Sequence, residues 1–159
     1  MHIHTKAIIK RRLKLKISTR FSDAIHILAF LNIYQDTKLS SENIAASVMT
    51  SPVVVRRIMG ALQKASLIST THGSPNPHLA KDPSEISLLD VYYAVEGHKQ
   101  LFSVDPKTNP QCIVGGNIQK VLGRYYQETQ NAAMGRLARI TLDDVINDIL
   151  VEQSKKEDK

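Results

Sequence analysis

The chain has 159 residues and a formal net charge of +6, and 42% of its residues are hydrophobic, which suffices for one domain with a hydrophobic core. It contains a single cysteine and no apolar run near the roughly 18 residues that span a bilayer. We therefore expect a cytoplasmic protein without a disulfide framework and without membrane contact.

The positive charge is unevenly distributed along the chain. Six of the 21 basic residues lie in residues 1–16, which contain no acid, so the remaining residues are balanced in charge. Between Glu42 and Asp82 there is no acidic residue, and the gap holds four basic ones, Arg56, Arg57, Lys64 and Lys81. A local basic surface without acids is typical of a binding site for a polyanion.

Hydrophobic spacing predicts three helices in the first half of the chain. The first covers residues 19–35 and buries the stripe Ala24, Ile27, Leu28, Leu31 and Tyr34. The second is short and follows an N-cap at Ser40 or Ser41. After a turn of a few residues, Ser51 is suited to cap the third helix, with Pro52 at its first position.

The third helix reads SPVVVRRIMGALQKA and has two distinct faces. Its apolar residues recur at i, i+3, i+4 and i+7 and form one buried stripe, Val55, Ile58, Met59 and Leu62. The opposite face is polar and basic, with Arg56, Arg57, Gly60, Gln63 and Lys64. Such a face is either simply solvated or contacts a negatively charged partner.

The elements after the third helix are a hairpin and further helices. Residues 67–80 combine β-branched residues with the turn formers HGSPNP, which predicts two short strands. Ser87 and Asp90 have capping-box spacing, and Gly97 ends the helix that they begin. A loop at 98–115 precedes a long helix at 116–140. Thr141 and Asp144 then repeat the capping-box spacing before a last helix.

Three helices followed by a hairpin are the element order of a winged helix-turn-helix domain. In that arrangement the second helix of the pair enters the major groove with its N-terminal residues, here Thr50, Ser51, Val53, Val54, Arg56 and Arg57. Hydroxyl groups and the N–H groups at a helix N-terminus can donate hydrogen bonds to phosphate. Arginine can donate two hydrogen bonds to a guanine edge, and valine methyls can contact the thymine methyl. The pattern thus indicates a DNA-binding domain.

Two segments carry a more specific resemblance. LKISTRFSDAIHILAFL and the block from Glu42 to Gly97, above all AKDPSEISLLDVYYAVEG, resemble the Rrf2 family of bacterial transcription regulators over about residues 15–140. The resemblance implies a homodimer that binds double-stranded DNA, usually as a repressor. The implied fold is mainly α: a winged helix-turn-helix domain with a small β-hairpin wing and a long C-terminal dimerisation helix.

The resemblance also implies site residues. The DNA contacts fall on Lys16 and Ser18, on Thr50 to Arg57 with Lys64 on the same outer face, and on His72 and Gly73 in the wing. The wing departs from the family, whose members often have an arginine and a Gly-Pro-Gly-Gly run, so we expect a different or weaker minor-groove contact. The dimerisation stripe comprises Ile118, Val121, Leu122, Tyr125, Ala132, Leu137 and Ile140, although it could instead pack within one protomer.

Cys112 bears on the question of a cofactor. Some members of the family hold an iron–sulfur cluster through three cysteines in the loop before the long helix, and a cluster needs several thiolates. Because this loop offers Cys112 alone, we expect no cofactor and no metal site. Near the start of the long helix Cys112 could sense oxidants or electrophiles, or it could have no role.

The resemblance divides the chain into five parts. Residues 1–14 are an extension, 15–97 the winged-helix domain, 98–115 a loop, 116–153 dimerisation helices and 154–159 a flexible tail. The extension is unlike the family, which indicates either that translation starts at Leu15 or that a basic arm strengthens DNA binding.

The sequence also bears on two other classes of function, an enzyme and a protein-interaction module. An enzyme is not expected, because the sequence has no carboxylate pair, Ser/His/Asp set, metal-spaced cluster or glycine-rich phosphate loop. The alternative is a protein-interaction module that acts through a partner protein. For the DNA-binding regulator as well as for the interaction module, a small effector or a regulatory protein is a possible further partner. DNA binding should weaken steeply with salt, whereas a hydrophobic interface should not.

Overall fold

A computed structural model describes residues 18–70 and 76–158, and its elements follow the predicted order. The helices are α1 (Arg20–Ile33), α2 (Ser41–Val48), α3 (Pro52–Lys64), α4 (Leu88–Glu96), α5 (Ile118–Ala138) and α6 (Leu142–Glu157). The strands are β1 (Ile68–Thr70) and β2 (Pro77–Leu79), and a 3-10 turn at Pro83–Glu85 precedes α4. The fold is mainly α with a small two-stranded antiparallel sheet, as expected.

Helices α2 and α3 form the predicted helix-turn-helix pair. Ser40 and Ser51 cap them, since each hydroxyl accepts the backbone N–H three residues on. Met49 adopts a left-handed conformation with φ 61° and ends α2, and the two helices meet at 103°. Among the described residues no single helix is long and apolar enough to cross a membrane. The bent pair α2 and α3, taken together, reaches the required length and apolar composition, but its two helices are bent by 103°.

The hairpin is tied to the helix-turn-helix pair at its base. Strands β1 and β2 pair antiparallel, with Ser69 opposite His78. The Asn76 side chain accepts the N–H of Leu39 at 3.1 Å and donates to the carbonyl of Thr37 at 3.2 Å. These bonds fix the start of β2 against the loop before α2, so the base of the hairpin has a defined position relative to the helix-turn-helix pair.

The core lies between α1, α3 and α4. The inward stripe of α3 is buried as predicted, with Val55, Ile58 and Leu62 almost inaccessible to solvent and Met59 packed at the margin. The α1 stripe is buried from Ala24 to Leu31, but Tyr34 remains 47% exposed. The inward placement predicted for Tyr34 was wrong because α1 ends at Ile33, which leaves Tyr34 as the C-cap.

Helix α6 begins inside this core rather than apart from it. Leu142 and Ile146 are buried in the same cluster as the α1 and α3 residues. The N–H of Leu142 donates to the carbonyl of Ile86 at 2.8 Å, and the N–H of Leu88 donates to that of Ile140 at 2.9 Å. The predicted dimerisation segment 116–153 therefore includes a stretch that completes the winged-helix core.

Helix α6 extends into the segment 154–159, for which the sequence predicts a flexible tail, and ends at Glu157. Lys155 pairs with Glu152 at 2.7 Å, and the Gln153 amide donates to the Glu157 carboxylate. Such pairs one turn apart, with lysines in the last turn, stabilise a helix C-terminus.

Candidate nucleic-acid interface

The basic face predicted for α3 is exposed. Ser51, Val53, Arg56, Arg57 and Lys64 are accessible to solvent. Two further residues that were predicted to contact DNA, Thr50 and Val54, are half-buried, and Val54 packs against the core. We call the five exposed residues the α3 surface.

The start of the α3 surface is held in place by the helix cap. The Ser51 hydroxyl accepts the N–H of Val54 at 3.3 Å. A hydroxyl that accepts in this way still has its own O–H to donate, for example to a phosphate oxygen. Thr50 is fixed by its backbone, whose N–H donates to the carbonyl of Ala45 at 3.1 Å.

One acidic residue lies against the α3 surface, and the linear sequence did not reveal it. Glu42 in the first turn of α2 places Oε1 3.6 Å from Nη1 of Arg56. Among the residues that the structure describes, neither Arg57 nor Lys64 forms an ion pair. The acid-free gap in the sequence begins right after Glu42, and the turn between α2 and α3 brings that residue back beside Arg56.

Ser18 belongs to a polar cluster at the start of α1. Its hydroxyl donates to Oε1 of Glu96 at 2.7 Å and accepts the N–H of Arg20 at 3.2 Å. Arg20 and Lys99 both approach the Glu96 carboxylate at 3.9 Å, and only 12% of the Glu96 side chain is exposed. Glu96 thus anchors the start of α1 to the end of α4, a role that sequence patterns did not indicate. Lys16 lies outside the described residues.

The wing is described only at its base. The predicted contacts His72 and Gly73 lie outside the described residues. At the base, the Gln63 amide of α3 donates to the Thr70 hydroxyl at 3.4 Å, and His78 is exposed on β2. The strands therefore leave the core beside the C-terminal half of α3.

Helix α5 has no buried residue within the described part of the protomer. Val121, Tyr125 and Ala132 of the predicted dimerisation stripe are exposed, Tyr125 by 53%, and the members Ile118, Leu122, Leu137 and Ile140 are half-buried. Ile140 lies beyond α5, in the turn that is bonded to α4. Next to the exposed Tyr125, the half-buried Tyr126 packs its ring 5.4 Å from that of Phe102.

Cys112 is exposed in a tight loop before α5. Hydrogen bonds from the backbone N–H groups of Gly115 and Val114 lower the pKa of the Cys112 thiol, because they stabilise the thiolate. The loop folds on itself closely enough that a Cβ on Gly115 would collide with the backbone of Asn109. The glycine is therefore needed for the turn that brings these N–H groups to the sulfur.

Comparison with known sequences places the chain among transcription regulators. The model of the Rrf2 family, described as an iron-dependent transcriptional regulator, matches residues 17–148. A protein of Bacillus subtilis strain 168 assigned as an HTH-type transcriptional regulator, YwnA, is 45% identical over 131 residues, which are 82% of this chain and 97% of that protein.

Solved structures agree with the fold. A crystal structure of a protein assigned as DNA-binding matches with a TM-score of 0.64 and 43% identity, over 80% of this chain and 98% of that one. CymR, the global cysteine regulator of B. subtilis, has the same fold with a TM-score of 0.61 and 22% identity, over 84% and 97% of the two chains.

An iron–sulfur cluster does not fit the cysteine content of this chain. An iron–sulfur cluster is held by several cysteine thiolates, and the whole sequence contains only Cys112. Among residues 18–70 and 76–158, no three His, Cys, Asp or Glu side chains lie close enough together to hold a metal ion.

Proposed function

The chain belongs to the Rrf2 family of DNA-binding transcriptional regulators, which are not enzymes, and on that premise we propose that it is a homodimeric, sequence-specific repressor. The observation that carries the proposal is the α3 surface, which is basic and exposed and has four of its five residues in the N-terminal half or at the N-cap of the second helix of the helix-turn-helix pair. In this geometry α3 lies in the major groove. The wing, residues 67–80, contacts the neighbouring groove or backbone.

The side chains of the α3 surface have separate roles in this proposal. The Ser51 hydroxyl donates to a phosphate, and the Val53 methyls contact a thymine methyl. Arg56 and Arg57 reach guanine edges or phosphates, and Lys64 contacts the backbone. Ser18, Lys16, Thr50, Val54, His72 and Gly73 remain predicted contacts around this centre.

The homodimer is supported by the exposed face of α5. Val121 and Tyr125 are large apolar side chains that the protomer leaves accessible, and a second copy of α5 would cover them. Two α3 helices related by a two-fold axis would read half-sites about one helical turn apart, roughly 34–36 Å. The proposed operator is accordingly a partial palindrome.

The regulator would work in the cytoplasm without a cofactor. The single cysteine of the whole sequence cannot supply the several thiolates of an iron–sulfur cluster, which supports regulation without such a cluster. Cys112, with its lowered thiol pKa, is the proposed sensor of oxidants or electrophiles. A small effector or a partner protein would be the other route to a signal.

The test is binding to the DNA upstream of the protein's own gene, measured by fluorescence anisotropy at low and moderate salt with random DNA as competitor. We expect tight, competitor-resistant binding that weakens steeply with salt. Arg57→Ala should weaken operator binding by about 1–3 kcal/mol with an unchanged melting temperature, because Arg57 is exposed.

The matched control is Arg139→Ala, which removes the same charge from an exposed arginine at the end of α5. It should change operator binding far less than Arg57→Ala. Equal binding to operator and random DNA would contradict the proposal. Weak, salt-insensitive behaviour would instead favour the alternative of a protein-interaction module.

A further inference from the structure

We propose that Glu42 is a positioning residue that increases the selectivity of the protein for its operator over other DNA by holding Arg56. This inference rests on the proposed function and adds a residue from outside α3 to the recognition surface. The observation is the ion pair between Glu42 Oε1 and Arg56 Nη1 at 3.6 Å, in which 66% and 56% of the two side chains are exposed.

Glu42 is presented to Arg56 by a rigid part of the fold. The first turn of α2 is held by the Ser40 hydroxyl, which accepts the N–H of Asn43 at 3.1 Å. The Asn43 amide also donates to the carbonyl of Lys38 at 3.2 Å. A carboxylate in the first turn is further stabilised by the helix dipole. The backbone that carries Glu42 is therefore fixed before any DNA is bound.

The contact restrains the Arg56 side chain but leaves most of its N–H donors available to bind DNA. A separation of 3.6 Å is longer than the roughly 2.7–2.9 Å of a direct charge-assisted hydrogen bond. Only one end of the guanidinium faces the carboxylate, and the group has five N–H donors. The remaining donors can still bind two acceptors on a guanine edge. Because the ion pair already restricts the Arg56 side chain, less conformational entropy is lost when it binds DNA.

The carboxylate discriminates between the two kinds of DNA contact. A phosphate near Arg56 is negatively charged and is repelled by Glu42, whereas a guanine edge is neutral and offers only acceptor atoms. Glu42 therefore weakens the contacts of Arg56 to the DNA backbone, which are possible on any DNA sequence, more than its contacts to the correct base. A repulsive element of this kind raises specificity at the expense of total affinity.

Arg57 provides the internal comparison. It is adjacent in sequence and exposed on the same helix, yet it forms no ion pair within the described part of the chain. The effect of Glu42 should therefore depend on Arg56 and be independent of Arg57.

The experiment measures the binding of the full chain to two duplexes of equal length, the upstream operator and a random sequence, across a series of salt concentrations. Glu42→Gln should tighten binding to the random duplex about threefold, in the range of an exposed ion pair. It should also steepen the dependence of log K on log salt by up to about 0.9, the value of one phosphate contact. Operator binding should change less, so the ratio of the two affinities falls.

Three further variants isolate the cause. In an Arg56→Ala background Glu42→Gln should have no effect on the ratio, whereas in an Arg57→Ala background its effect should persist. Glu42→Asp keeps the negative charge and should retain most of the wild-type ratio of operator affinity to random-duplex affinity. Glu85→Gln makes the same charge change at an exposed site in the 3-10 turn, away from α3, and should leave the ratio unchanged.

The outcomes separate this inference from the proposed function. A wild-type protein that binds both duplexes equally would refute the proposed function and with it the claim of selectivity. A wild-type preference that Glu42→Gln leaves intact, or a Glu42→Gln effect that Glu85→Gln reproduces or that survives Arg56→Ala, would refute the role of Glu42 alone.

Discussion

At the scale of single residues, Cys112 shows how backbone geometry sets side-chain chemistry. The N–H groups of Gly115 and Val114 lower the thiol pKa, and because the loop is exposed, the opposing effect of desolvation on that pKa is smaller. The thiolate is the reactive form of cysteine. A fold that exposes the sulfur and stabilises its anion makes the residue more reactive, at a given pH, than a thiol with the ordinary pKa.

We predict that native Cys112 is alkylated by iodoacetamide at lower pH than Cys112 in urea. Because the folded pKa is depressed, the thiolate forms at lower pH in the native chain and is lost only as the pH falls through that lowered pKa. The midpoint of the rate–pH profile should therefore lie below that of the unfolded chain. Equal midpoints, or a higher native one, would contradict the prediction.

The role of Cys112 as a sensor needs a separate readout. Cys112→Ser should leave operator binding unchanged in reductant, since the residue lies outside the α3 surface. Treatment with an electrophile should change operator binding by the wild type and not by the variant. If both respond equally, the cysteine is reactive without being the sensor.

At the scale of elements, α4 and α6 begin side by side through two capping boxes. In each, the N-cap hydroxyl accepts an N–H while the aspartate three residues on accepts the N-cap N–H, Ser87 with Asp90 and Thr141 with Asp144. Hydrogen bonds from the N–H and hydroxyl of Thr141 lower the pKa of Asp144. The two helix starts are then joined backbone to backbone, which fixes where α6 enters the core.

We predict that Leu142→Ala lowers the free energy of unfolding by about 2–5 kcal/mol, because the side chain is fully buried in the winged-helix core. Chemical denaturation monitored by circular dichroism measures the change. Leu150→Ala, on the exposed part of the same helix, is the control and should cost no more than about 0.5 kcal/mol. Similar small losses for both would mean that α6 is not part of the core.

At the scale of the whole molecule, the described chain leaves one long helix without apolar burial. Helix α5 has no buried residue in the described chain, and Tyr125 and Val121 remain exposed on it. An exposed apolar helix face of this kind is where a second copy would bind. Selectivity for a palindromic operator would then depend on the same contact that buries α5.

For the proposed homodimer we predict that Tyr125→Asp gives monomers at concentrations where the wild type is dimeric, as measured by sedimentation velocity. A charge in an apolar interface should weaken dimerisation by roughly 30-fold or more, as for a central interface residue. Operator binding should weaken with it, because two half-sites are no longer engaged together. Tyr34→Asp, at a tyrosine of similar exposure at the end of α1, should remain dimeric. A Tyr125→Asp variant that stays dimeric would exclude this face of α5.

What the sequence by itself determined is local. Serine caps at Ser51 and Ser87, the i, i+3, i+4, i+7 stripe of α3 and the turn-rich hairpin all act within a few residues. The order of the elements and the approximate helix spans could therefore be predicted from spacing, whereas the ends of α1 and α6 differ from the prediction. The exposed basic face of α3 followed from the same periodicity.

What only the tertiary structure decided are contacts between distant parts of the chain. Glu42 beside Arg56, Ser18 bonded to Glu96 and Leu142 buried under α1 each depend on the angle and distance at which two elements pack. Periodicity identifies which face of a helix is buried but not which partner covers it. An acid-free stretch of sequence is therefore not an acid-free surface, because folding brings Glu42 to the α3 surface from a neighbouring helix.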